Sequence, residues 1–78
     1  MTQEGEKNMY ELIDVCADKN FSETETYIIG AIASDGDSIN LGKNSTERYK
    51  RAADIVKGCK TAEEAISKLM KIINKGDA

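Results

Sequence analysis

Residues 35–46, Asp-Gly-Asp-Ser-Ile-Asn-Leu-Gly-Lys-Asn-Ser-Thr, hold the side chains that come closest to a chemical motif. A phosphate cradle needs Gly, four residues, Gly-Lys and then Ser or Thr, so that backbone N–H groups and the Lys surround the phosphates. Here five residues separate Gly36 from Gly42, and Asn44 stands between Lys43 and Ser45. A chain of 78 residues is also too short for a nucleotide hydrolase core. A milder reading survives: the first N–H groups of a helix beginning near Ser45, with Lys43 beside them, can hold an anion. The plain alternative is an ordinary capped helix start. Asp35, Asp37 and Asn40 hint at calcium, but a calcium loop needs Gly at Asn40, a ligand at Ile39 and Glu at Thr46. A turn fits better.

Other chemistry has less support. The sequence contains no His, and Cys16 and Cys59 are its only cysteines, with no Cys-x-x-Cys spacing. A zinc site therefore has no ligand set. Each cysteine falls on the apolar side of an expected helix and reads as a small buried hydrophobe. No nucleophile–base pair or cofactor fingerprint is visible, so the expectation is a non-enzymatic chain without cofactor. The remaining candidates are charged surfaces. Lys68, Lys71 and Lys75 share one side of a helix near the C-terminus, and Lys57, Lys60, Lys50, Arg48 and Arg51 lie near them in sequence. Such a face can bind phosphates, although Glu64 sits on it too. Glu11, Asp14 and Asp18 form an acidic face on the first helix. Both faces are candidate partner-binding surfaces, against the plainer reading of solvated helix surface.

The charge is unevenly divided. Residues 1–39 carry nine acids against two bases, and residues 40–78 nine bases against five acids, so −7 and +4 make up the net −3. Hydrophobic content of 40% with 32% charge fits one folded domain over 1–78. No apolar run is long enough to span a membrane. The N-terminus is polar and acidic, which makes the cytoplasm the expected location.

These groups must be positioned by short helices. Met9, Leu12, Ile13 and Cys16 fall at i, i+3, i+4, i+7 and predict a helix from about Glu6 to Asp18, ended by Lys19-Asn20, with residues 1–5 frayed. Phe21 then precedes Ser22, where an apolar residue packs back on the helix. The run Ser22–Leu41 organises the rest and admits two readings. Ser22 with Glu25 makes a capping box, Gly36 marks a helix end, and Ile28, Ile29, Ala31, Ile32 and Ala33 cover most of the circumference, which predicts a buried helix. Gly30 would let a neighbouring backbone approach. The competing reading is a β-hairpin over 26–41, turning at Asp35-Gly36. In the helical reading Ser38–Leu41 is a short extended segment.

A third helix is expected from about Ser45, as N-cap, to Lys57, with Gly58 stopping it. Its inner face is Tyr49, Ala52, Ala53 and Val56, with Cys59 at the edge, and Glu47 pairs with Arg51 outside. A fourth begins at the capping box Thr61-Ala62-Glu63-Glu64 and runs to about Asn74 on a stripe of Ala62, Ala65, Ile66, Leu69 and Ile73. Gly76 lies where its end is expected and 76–78 should fray. The expected fold is mainly α, a four-helix domain with a short extended segment after helix 2; the alternative is α+β in the order α-β-β-α-α.

Ile28-Ile29-Gly30-Ala31-Ile32-Ala33-Ser34-Asp35-Gly36 resembles, in outline, the signature helix of LAGLIDADG homing endonucleases, a capped helix ending in an acid and Gly before a strand. The resemblance covers Ser22 to Ile39 and would place Asp35 on the metal-binding acid. It departs at Ala33, where the family prefers an acid, and no long basic strands follow to lie along DNA.

The expectation for function is a small regulatory, inhibitory or accessory protein, of the kind phages and mobile elements encode, that binds a protein partner. Nucleic-acid binding through the basic helix 3–helix 4 hairpin is the alternative. Ala62-Glu63-Glu64 puts acids where a recognition helix would meet bases. Tyr10, Ile55, Met70 and Ile72 lie off the apolar stripes, so a homodimer that covers them is a further possibility.

Overall fold

Three sequence signals of one form, a short polar residue followed three later by Glu, start three of the four helices. A computed structural model describes residues 2–35 and 38–74, with side chains from Glu6 onward. Its helices are α1 (Thr2–Asp18), α2 (Glu23–Ser34), α3 (Ser45–Lys57) and α4 (Ala62–Asn74). No strand occurs among the described residues, so Ser22–Leu41 takes the helical reading. At α2 the capping box is complete: Ser22 Oγ accepts from the Glu25 N–H at 3.1 Å, and Glu25 Oε1 accepts from the Ser22 N–H at 2.8 Å. At α3 the cap is Asn44 rather than Ser45. Its Oδ1 accepts from the Glu47 N–H at 2.9 Å, while Glu47 Oε1 accepts from the Lys43 N–H at 3.0 Å. Thr61 and Glu64 repeat the arrangement at α4, with Glu64 reaching the Lys60 N–H. Glu47 thus serves its own helix start, and no Glu47–Arg51 ion pair forms.

Helix ends are equally explicit. The Phe21 N–H reaches Cys16 O, the Asn20 N–H reaches Ala17 O, and Asn20 has φ 62°. This is a Schellman close with Asn in the left-handed position. It turns Phe21 onto the core. α1 begins a turn earlier than its apolar stripe requires, at Thr2. Gly36, Lys75 and Gly76 lie outside the described residues, as do 76–78.

α3 meets each of the other three helices, whereas α1 and α4 do not meet. Its inner face is nearly all small: Ala52, Ala53, Val56 and, just past its end, Cys59 are fully buried against Leu12, Cys16, Ile29, Ala33, Ala65 and Leu69. Alanines let helix axes approach at the short end of the usual 8–10 Å. The molecule measures 32 × 30 × 19 Å, and its thin dimension holds two helical layers of about 10 Å each. No helix can then be enclosed on all sides. This corrects the expectation for α2, of which only Ile29 and Ala33 are buried, while Ile28, Ala31 and Tyr27 face outward. It also corrects Gly30, because a Cβ built there meets nothing within 4 Å. On α1 the buried stripe is Leu12, Val15 and Cys16, with Ile13 turned out.

Over residues 38–42 the chain turns instead of extending. The Leu41 and Gly42 N–H groups both donate to Ser38 O. Here sits Arg48, expected on the surface but 7% exposed. Its Nε donates to Ala33 O at 2.7 Å and its Nη1 to Gly42 O at 3.3 Å. Ser38, also buried, donates from Oγ to Ile32 O at 3.0 Å. A Cβ on Gly42 would lie 2.8 Å from the Arg48 backbone nitrogen and 2.9 Å from its Cγ, so Gly42 alone fits.

Two glycines should therefore respond oppositely to alanine. Gly30→Ala is expected to stabilise by about 0.5–1 kcal/mol through helix propensity, and Gly42→Ala to destabilise by roughly 1–3 kcal/mol through overlap with α3. Chemical denaturation of the two variants checks the signs. Arg48→Ala, which leaves two carbonyls without their donor, is expected to cost about 2–4 kcal/mol and lower the Tm by roughly 10–20 °C. Arg48→Lys should recover only part of that loss in a thermal melt, because an ammonium cannot reproduce the fork.

Candidate functional site

Of the groups with chemical promise, the N-terminus of α3 is already filled. The Lys43 N–H that would face an anion donates to Glu47 Oε1, and the Glu47 N–H is held by Asn44. An incoming anion would have to displace the protein's own carboxylate. The same holds at α4, where the Lys60 N–H, helped by the Lys68 charge, holds the Glu64 carboxyl below its usual range. Among the described residues no three acid or Cys side chains cluster as a metal site would require. The likeness to the endonuclease signature ends with the helix itself, since a turn occupies 38–42 where a strand would follow.

The two charged faces fare differently. On α4, Lys68 Nζ lies 3.5 Å from Glu64 Oε2, so one lysine of the set engages a carboxylate of its own helix. Lys71 is exposed, and Lys75 is outside the described residues. On α1, Glu11, Asp14 and Asp18 are all exposed. Glu11 leans toward α3, with Oε2 3.9 Å from Lys57 Nζ. Asp14 shares a shallow strip with Glu6, Lys7 and Tyr10.

Between α1 and α2 lies a feature the residue types did not reveal. α1 and α2 run antiparallel, so Met9 and Ile13 oppose Gly30 and Ala31, while Ala17 and Phe21 oppose Glu23 and Thr26. The cleft between them forms two hollows of ≈ 290 and ≈ 360 Å³ that share Ile13, Thr26 and Tyr27. Tyr49 of α3 lines the first. The walls are mainly apolar, and two large side chains stand open on them, Tyr27 at 77% and Ile13 at 41% exposure; Tyr10, 57% exposed, lies in the α1 strip. Glu23 stands at one end. Ile13 was expected in the core; the signal that places it outside is Val15, which takes the inner position. Tyr27 was hidden by the expectation that α2 is buried all round.

A separate hollow of ≈ 660 Å³ lies between the 39–43 turn and α3. Lys43, Lys50 and Arg51 line it alternately with Glu47 and Asp54, so its charges largely cancel. Ile39, 65% exposed, stands at its edge.

Cys16 and Cys59 are free and fully buried. Burial pushes the Cys16 thiol up, against a smaller opposing pull from its hydrogen bond with Thr26. Cys59 Sγ donates to Ile55 O at 3.2 Å. The chain matches no protein-family model, no curated protein and no solved structure. In the described residues no helix is long and apolar enough to cross a membrane.

Both thiols should be silent in the folded protein. Alkylation in native buffer is expected to run about a thousandfold or more below the unfolded rate, set by opening of the fold. Fast labelling of either cysteine without denaturant would contradict this burial.

Proposed function

We propose that this chain is a non-catalytic binding protein whose partner is another polypeptide, seated on the cleft between α1 and α2. One observation carries the reading: Ile13 and Tyr27 are held open to water on an apolar cleft. Contiguous apolar surface of this kind marks interaction sites, and aromatic side chains lend most to binding because they bury large area at small entropic cost. The exposed acids of α1, Glu11, Asp14 and Asp18, give the molecule a charge on the helix that forms one wall, which steers encounter. A regulatory or accessory role suits such a module, which acts by occupying its partner. Free thiols at Cys16 and Cys59 suit the reducing cytoplasm.

Nucleic-acid binding through α3 and α4 is the weaker reading, because Glu47, Asp54 and Glu64 interleave with the bases. Two variants separate the two. Tyr27→Glu, at the most exposed of these side chains, should leave the thermal melt unchanged and weaken capture of the partner by about tenfold or more. Reversal of Lys68, Lys71 and Lys75 to Glu should leave capture intact. The opposite pattern, or salt-sensitive binding of short duplex DNA abolished by the lysine reversals, would move the function to α4.

A further inference from the structure

Building on that docking face, we infer that its occupant is a basic amphipathic helix of a partner protein, two to three turns long. The shape of the cleft is the first ground. Met9, Ile13 and Ala17 follow one another at four-residue steps along one wall, which is about 12 Å of cleft and two turns of a docked helix. Side chains repeating at that spacing interdigitate with a partner that repeats likewise, through anchors at i, i+3 or i+4, and i+7. Opposite Ile13 the wall is low: a Cβ at Gly30 would meet nothing within 4 Å, which leaves room for one large apolar anchor.

The backbone supplies the second ground. An extended peptide binds by adding to an open strand edge, and the described residues contain helices and turns only. The α1 and α2 N–H groups along the cleft lie inside helices, where they bond to their own chain. A partner must then bring a backbone that is also internally satisfied.

Charge is the third ground. Glu23 lines one end of the cleft, and the two helices that form its walls carry seven acids against one base, Lys7. The surface complementary to such a pair of helices is an apolar stripe flanked by Lys or Arg. An acidic or neutral helix would bring the same apolar anchors without that attraction.

The test uses the whole chain, labelled with ¹⁵N, and three synthetic peptides of the same length. The first carries Leu at i, i+4 and i+7 with Lys and Arg on both flanks. The second replaces every Lys and Arg by Glu. The third keeps the composition of the first but scrambles the stripe. The first peptide is expected to shift the amides of Met9–Ala17 and Tyr27–Ser34, to bind at least about tenfold more tightly than the other two, and to weaken as salt is raised. Tyr27→Glu should remove its binding. Equal binding of the acidic or scrambled peptide, or shifts that map to α3 and α4, would overturn the inference. If no peptide binds while Tyr27→Glu still abolishes capture of the natural partner, the occupant is not a basic helix and the docking face itself stands. Self-association that is concentration-dependent in sedimentation and lost in Tyr27→Glu would assign the cleft to a second copy instead.

Discussion

The Arg48 guanidinium is a buried cation that reaches the negative end of α2, and the arrangement of three segments depends on that reach. A helix leaves its last four carbonyls without partners. At α2 three of them find donors: Ala31 O in the hydroxyl of Ser34 on the same helix, Ile32 O in Ser38 and Asp35, and Ala33 O in Arg48. The guanidinium also holds Gly42 O, so one side chain joins the end of α2, the 38–42 turn and the start of α3. Gly42 is pressed against Arg48 in return. Burying a charge is costly unless its hydrogen bonds are replaced. Here carbonyls aligned with a helix dipole replace them.

The same device recurs at lower stakes. Lys19 Nζ donates to Lys57 O at 2.9 Å, tying the ends of α1 and α3. Asn40 Nδ2 donates to Ile73 O, tying the turn to the end of α4. Asn8 Nδ2 donates to Thr46 O near the start of α3. The core is made largely of Ala, Cys, Val and Leu, which pack closely but specify little by shape. These side-chain-to-carbonyl bonds supply direction where the small core does not.

Local chemistry made the element boundaries legible. Ser22 with Glu25, Thr61 with Glu64, Lys19-Asn20 and Gly58 each announce an end through bonds made within a few residues, so the sequence carries the whole signal. The misplaced features are those set by distant partners. Asn44 wins the cap over Ser45 because it stands three residues before Glu47. Val15 displaces Ile13 because α1 packs chiefly against α3, and Arg48 looks like surface until the end of α2 is known to lie above it. The cleft was hidden for the same reason, since Tyr27 and Ile28 belong to a run that is apolar on every side and only the two-layer packing decides which side is left out. The acidic face of α1 was visible in the charges; its apolar neighbour was not.

That α1 and α4 never touch has a consequence for how the molecule comes apart. Of the helices only α2 and α3 meet α4, and the bond from Asn40 to Ile73 O adds a tie from the turn. Detachment of α4 would uncover Leu69, Ala65 and the α3 side chains they cover, while α1 stays packed on α3 through Leu12 and Cys16. Partial opening from the C-terminal end is therefore easier than global unfolding, and the cleft between α1 and α2 lies in the part that stays closed. A protein built this way can breathe at one edge while the opposite edge keeps its shape for a visitor.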